Sequence, residues 1–171
     1  LSWGLDHGAW SVLRRMFPGA EVPVVQLSLD RTAPPAQHYQ LGRALKSLRN
    51  RGVLIVGSGN IVHKLGMISW EDRAYDWATE FDEKVRQLIV SGDHQSIVDY
   101  DRLGRSASLS IPTNEHFLPL LYVLGLKEEG EGLHFFAEGV TLGAIPMRSR
   151  VVGWAPRPPP QPGRPGARRG H

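Results

Sequence analysis

The sequence predicts an α/β domain, a mostly parallel sheet with helices on both faces, and three observations carry that prediction. Two short runs rich in valine and leucine, VPVVQLSL at residues 22–29 and VLIV at 53–56, read as buried strands. An amphipathic helical stretch separates them, and strand, helix, strand in this order implies a right-handed parallel crossover. A second, longer amphipathic stretch follows at 73–90, so helix and strand signals alternate along the chain instead of segregating.

Taken in order, residues 9–17 place Trp10, Leu13, Met16 and Phe17 on one helical face, and Pro18-Gly19 stops that helix. After the first strand, residues 34–50 put Leu41, Ala44, Leu45 and Leu48 at helical spacing, with Arg43, Lys46 and Arg49 between them and Gly52 just past the end. The second strand breaks into the glycine-rich Gly57-Ser58-Gly59-Asn60. The stretch at 73–90 carries Ala74, Trp77, Ala78, Phe81, Val85, Leu88 and Ile89 on one stripe, and a shorter helix is expected over 93–100. Thr113 is expected to open a helix through Leu124, its hydroxyl capping first-turn amides and Pro119 bending the later turns. Residues 133–137 and 141–147 are the last expected strands, and no internal repeat is evident.

At 171 residues and 41% apolar composition the chain can fill one core. Its longest apolar stretch, 117–126, is interrupted by Pro119 and falls short of the roughly 20 residues a bilayer span needs. The first ten residues lack the basic head and apolar body of a signal peptide, and the chain opens on Leu1, so it is expected to begin inside a larger protein and to be cytoplasmic. With no cysteine, disulfide scaffolds, Cys-ligated zinc, iron–sulfur clusters and thiol nucleophiles are excluded together. The net charge of +3 does not indicate nucleic-acid binding, because it sits at one end. Residues 154–171 hold four arginines, six prolines, three glycines and no acid, which leaves residues 1–153 at −1. The expected organisation is a domain over 1–153 and a disordered Pro/Arg tail over 154–171. PRPPP could serve a polyproline-binding partner and the arginines could touch phosphates, against the plainer reading of an inert terminus.

Ligands in such sheets bind where strands end and loops begin, which singles out three histidines. His63 follows VLIV in GSGNIVHKL, His116 lies in PTNEHFLPL, and His7 lies in GLDHGAW at the start of the first helix, where the dipole favours a neutral ring. A neutral imidazole can ligate a metal or accept a proton, although for each histidine alone a structural or surface role is the better reading, and three at loop positions of one sheet shift the balance toward a site. His38, His94 and His134 are read as structural. Gly57-Ser58-Gly59 lacks the third glycine of a dinucleotide fingerprint and the lysine of a P-loop, which favours a tight turn over a phosphate cradle. Ser58 and Ser110 do not stand in G-x-S-x-G. Glu115 points to a different side from His116, so it is expected to support the site rather than share a ligand set. Glu71, Asp72, Glu80, Asp82 and Glu83 look like a solvated helix face.

The segments GLDHGAW, VPVVQLSLD, GVLIVGSGNIVHKL, WATEFDEKV, PTNEHFLPLLYVLG and EGVTLGAIPMRS, in this order, closely resemble the class III extradiol ring-cleavage dioxygenases of the DOPA 4,5-dioxygenase type. They are similar, more distantly, to the catalytic subunit of protocatechuate 4,5-dioxygenase. The resemblance runs from Leu1 to about Arg150, and GLDHG, GSGNxVH and PTxEHxLPL together are specific. It implies a mononuclear non-haem metal, Fe(II) for catalysis with Zn(II) able to occupy the same site, and O₂-dependent opening of a DOPA-like catechol. By position it implies His63 as a metal ligand or the acid/base group beside the metal, His116 as a metal ligand, and His7 as a catalytic pocket histidine handling substrate or protons. The family's first metal-binding histidines have no counterpart here, so the chain resembles the C-terminal part of the domain. Expected partners are the catechol and O₂, with neither nucleic acid nor membrane, and with self-association through uncovered sheet edges. The chain alone is expected to be inactive. A non-catalytic paralogue or fragment acting as an interaction module is the alternative, and a zinc hydrolase is disfavoured because no carboxylate stands at ligand spacing from His63 or His116.

Overall fold

The computed structural model describes residues 4–67, 69–70, 74–137 and 140–153. The expected tail at 154–171 lies outside the described residues, as do Glu71 and Asp72. Seven α-helices are described: α1 (His7–Met16), α2 (Pro35–Ala44), α3 (Lys46–Arg49), α4 (Asp76–Ser91), α5 (His94–Val98), α6 (Arg105–Ser110) and α7 (Leu118–Leu126). Short 3-10 turns lie at Leu65–Met67 and Tyr100–Leu103. Four short strands close the described chain: β1 (Leu133–Phe136), β2 (Val140–Thr141), β3 (Ile145–Pro146) and β4 (Ser149–Val152).

The core is helical. Ala78, Phe81, Val85 and Ile89, spaced three or four apart on α4, are buried against Ile97 of α5, Ala107 of α6 and Phe117, Leu118, Leu121 and Leu124 at the start of and along α7. Each large side chain removed from water there contributes roughly 1.5–3 kcal/mol. The α7 sequence LPLLYVLGL is apolar on every side, and such a helix can only sit inside. Its partner is α2, which approaches so closely that a methyl on Gly42 would lie 2.5 Å from the Tyr122 carbonyl and one on Gly125 the same distance from the Tyr39 carbonyl. His38 is buried in this seam, sharing a 3.0 Å hydrogen bond between its Nδ1 and the Tyr122 hydroxyl, and His94 does the same with Tyr39 at 3.0 Å.

The mostly parallel sheet is not seen. Among the described residues the pairings are two antiparallel ones, β1 with β4 from Leu133↔Val152 to Phe136↔Ser149, and β2 with β3. Residues 22–29 and 53–56 lie where strands are expected but form no ladder. Their composition suits a buried strand, and a strand exists only when a neighbour supplies the other half of its hydrogen bonds. The expected helix at 34–50 is divided at Leu45 into α2 and α3, and α6 occupies part of a stretch that reads as a loop. The helix expected from Thr113 begins at Leu118. Pro119 explains the shift: lacking an N–H, it fits the first turn of a helix and not its interior, so it starts α7 instead of bending it. Thr113 accordingly caps nothing, and its hydroxyl donates instead to Glu115 Oε1 at 2.8 Å.

Asp82, expected on a solvated face, is buried and paired with Arg148 at 2.8 Å, with side chains only 7% and 9% exposed. This pair pins the C-terminal strands to α4. The Arg150 guanidinium lies close by, and its burial lowers its pKa to about 10 against the attraction of Asp82. No helix among the described residues is long and apolar enough to cross a membrane.

Candidate functional site

Three polypeptide segments meet at His63 and His116. The loop following VLIV runs through Gly57-Ser58-Gly59-Asn60 and packs directly on the turn that precedes α7. The Asn60 N–H donates to the His116 carbonyl at 2.8 Å, and Gly59 lies so close that a methyl there would sit 2.2 Å from the same carbonyl oxygen. The glycine-rich turn is thus a contact surface for the His116 loop, which accounts for its glycines without a phosphate. On the far side, the His63 N–H donates to the carbonyl of the buried Ser110 at 2.8 Å, at the end of α6. Ile61 and Val62, both buried, anchor the segment between these two clamps.

The result is a stacked pair of imidazoles, with ring centroids 3.5 Å apart and planes inclined by 19°. Two imidazolium rings at that distance would repel, which disfavours the doubly charged pair. Burial holds the His63 pKa below its usual value, the neighbouring His116 adds to that effect, and Glu115 opposes it. Among the described residues, His63 Nδ1 is buried without a hydrogen-bond partner, and so is Glu115 Oε2. Arg31 approaches that carboxylate oxygen at 3.8 Å, a loose and mostly solvent-exposed ion pair. A cavity of about 570 Å³ opens beside this loop, lined by Arg31, Tyr100, Ile111, Thr113 and Asn114 among others but by neither histidine.

Among the described residues, the ring contact of His7 is with Trp10 and not with the stack. His7 is exposed at the start of α1, edge-on to Trp10 at 5.4 Å. Asp6 caps that helix, its carboxylate accepting from the Ala9 N–H at 2.9 Å, and Gln26 holds Asp6 from the segment 22–29. Gly8 lies against Ser58, which brings the His7 end of α1 to the same glycine-rich turn that braces His116. Asn60, Ser110 and Arg31 are contributions that sequence reasoning does not reach. The first two act through backbone groups, which leave no side-chain signature, and no motif flags Arg31.

A metal would need at least three protein ligands here. His63 and His116 provide two imidazoles, and among the described residues no group of three His, Asp, Glu or Cys side chains could hold an ion. The residues present supply part of a ligand set and do not complete one.

Residues 1–150 match the family described as the catalytic LigB subunit of aromatic ring-opening dioxygenase. The chain belongs to this family. It is 43% identical over 158 residues to the 4,5-DOPA dioxygenase extradiol of Escherichia coli (strain K12), a match that takes in 89% of this chain and 58% of that protein. With the protein of the same name from Beta vulgaris it is 38% identical over 127 residues, 74% of this chain and 47% of that one. The crystal structure of an uncharacterized Escherichia coli K12 protein superposes with a TM-score of 0.80 at 40% identity, over 87% of this chain and 63% of that chain. The chain therefore spans about half to three fifths of the relatives it matches.

Proposed function

We propose that this chain supplies the His63/His116 part of an extradiol ring-opening active site whose substrate is a DOPA-like catechol. The observation that carries the reading is the stacked pair, with the His63 pKa held below its usual value by burial and its Nδ1 without a hydrogen-bond partner among the described residues. A catechol must lose hydroxyl protons before its oxygens can act as donors to a divalent ion, and a neutral imidazole is the group that takes such a proton near pH 7. In the overall reaction the ring carbon–carbon bond beside one hydroxyl breaks, both atoms of O₂ enter the product, and an aldehyde and a carboxylic acid result.

His63 and His116 are the proposed metal-binding residues, with His63 also holding or moving the substrate proton. His7 is the proposed second proton-handling group, carried toward the site by the Gly8–Ser58 contact. Fe(II) is the proposed metal, with Zn(II) competing for the same imidazoles. A reducing compartment keeps Fe(II) available, which makes the cytoplasm the proposed location. Residues 1–153 are taken as the catalytic portion.

The absence of a third ligand among the described residues favours a second reading, a non-catalytic interaction module. Metal content and O₂ uptake with catechols separate the two, measured on the chain alone and on a fusion that adds the part of the Escherichia coli relative lying outside the match. Ring opening in the fusion, lost on replacing His63, supports the first reading. A fusion that holds iron without consuming O₂ on any catechol refutes it.

A further inference from the structure

We propose that the cavity beside the His116 loop is a subsite for a carboxylate carried on the substrate's side chain, with Arg31 as the residue that holds it. The proposal rests on the ring-opening reading for where the ring lies, and on the cavity's own chemistry for where the acid lies. The cavity, of about 570 Å³, has the size of a small-molecule site, and among the described residues that line it Arg31 carries the only charge. Ile111 gives it an apolar wall, while Tyr100, Thr113 and Asn114 supply neutral polar groups. One cation among apolar surface and neutral donors suits an organic anion.

The cavity is built from the same clamps that position the histidines. Its lining segment 111–114 runs between Ser110, whose carbonyl accepts from the His63 N–H, and His116, whose carbonyl accepts from the Asn60 N–H. Tyr100 packs its ring on the buried Phe117, the residue after His116, with centroids 4.8 Å apart. Burial, with Asp101 adding to it and Asn114 opposing, holds the Tyr100 pKa above its ordinary value, so the phenol keeps its proton and can donate it in a hydrogen bond. Asn114 stands two residues before His116, at most about 7 Å along the chain, a span that an aryl ring with a short side chain bridges.

Arg31 is presented by a fixed turn. The Asp30 carboxylate accepts from the Thr32 N–H at 2.9 Å and from the Thr32 hydroxyl at 2.6 Å, and the Ala33 N–H donates to the Asp30 carbonyl at 3.1 Å. The backbone on both sides of Arg31 is thereby set before any ligand arrives, and the chain passes directly into α2. Among the described residues the ion-pair partner of Arg31 is Glu115, which its Nη2 approaches at 3.8 Å, too far for a hydrogen bond. A ligand carboxylate taking two parallel N–H bonds from the guanidinium is a stronger partner than that loose pair.

The first test needs neither metal nor ring opening. The 171-residue chain is titrated with 3-phenylpropionate, which has the ring and the acid but no hydroxyl. A ligand concentration of about 20 mM exceeds the roughly 1 mM dissociation constant that one bidentate ion pair supports. The expected result is a saturating shift of the Arg31 Nε–H and Tyr100 ring resonances, with phenethylamine producing neither. Absence of the shift overturns the proposal, and so does an equal shift at the exposed Arg51, which would mark unspecific anion pairing. The second test uses the fusion with the unmatched part of the Escherichia coli relative. There Arg31→Leu should raise KM for DOPA by about 10-fold or more with kcat kept, and leave KM for 4-methylcatechol, which has no acid, unchanged. Arg31→Lys should recover part of the loss, since it keeps the charge without the fork. An equal rise in both KM values overturns the proposal. A fusion that opens no catechol refutes the ring-opening reading instead, and the phenylpropionate titration then decides the subsite by itself.

Discussion

Replacing Gly59 by alanine tests the geometry that holds the histidine pair. A methyl at that position would lie 2.2 Å from the His116 carbonyl oxygen and 3.2 Å from Pro119 Cγ. The first distance is far inside van der Waals contact with a backbone atom, which cannot swing away as a side-chain end could. Either the turn at 57–60 or the loop carrying His116 must retreat, and the Asn60-to-His116 hydrogen bond of 2.8 Å spans the same gap. Overpacking of this kind costs about 1–3 kcal/mol, and the broken bond adds about 1 kcal/mol. For a chain of this size the expected fall in Tm is roughly 5–15 °C. Gly66→Ala is the matched control, since among the described residues nothing lies within 4 Å of a methyl there, and it should change stability by less than about 0.5 kcal/mol. Thermal melting measures the cost, and imidazole NMR resonances report whether the 3.5 Å stack has moved. A Gly59→Ala protein with a Tm within about 2 °C of the parent and unshifted His63 and His116 resonances would refute the claim that this contact positions the pair.

Asp82→Ala should destabilise by about 3–5 kcal/mol in urea melts, because it leaves Arg148, only 9% exposed, without its main counter-charge; a loss below about 1 kcal/mol would show that Glu83, 3.6 Å away, suffices. Burial, assisted by Lys127 and Lys46 and opposed by Asp93, holds the His94 pKa below its ordinary 6.5, so the unfolded chain takes up that proton more readily than the folded one. Stability should be full above about pH 6.5 and fall as the pH drops through the folded value; His94→Gln should flatten that slope, and an unchanged slope would discount the residue. In the fusion that adds the unmatched part of the Escherichia coli relative, His116→Ala should lower bound metal and abolish ring opening, His63→Ala should abolish ring opening, and His7→Ala should keep the metal while slowing turnover by about 10²-fold or more. Wild-type rates in any of the three would remove that residue from the site.

Much of the helical architecture is legible in the sequence because its signal is local. The stripe Ala78, Phe81, Val85, Ile89 states its period within one stretch of chain, and its burial follows. The limits of α7 mislead for an equally local reason. The apolar run around Pro119 suggests a helix interior, whereas the missing N–H of that proline decides that it starts the helix. Asp82 misleads differently: a carboxylate among other acids on a helix suggests a solvated face, and only the arrival of Arg148 from beyond β3 makes its burial tolerable. The strands expected at 22–29 and 53–56 mark the same boundary from the other side. Their residues declare that they belong in a sheet, but pairing is a property of two segments, and no composition states which second segment is present.

The candidate site divides along the same line. His63 and His116 stand out by motif, and the structure stacks them. They are brought together by the Asn60 and Ser110 backbone groups and by the space at Gly59, none of which chemical identity reveals. Gly57-Ser58-Gly59 is the instructive residue group. Its sequence favours a tight turn over a phosphate cradle, and its lack of side chains lets one loop lie flat on the His116 turn while Ser58 meets α1 at Gly8. One turn thereby couples the histidine stack to the helix whose apolar side is uncovered.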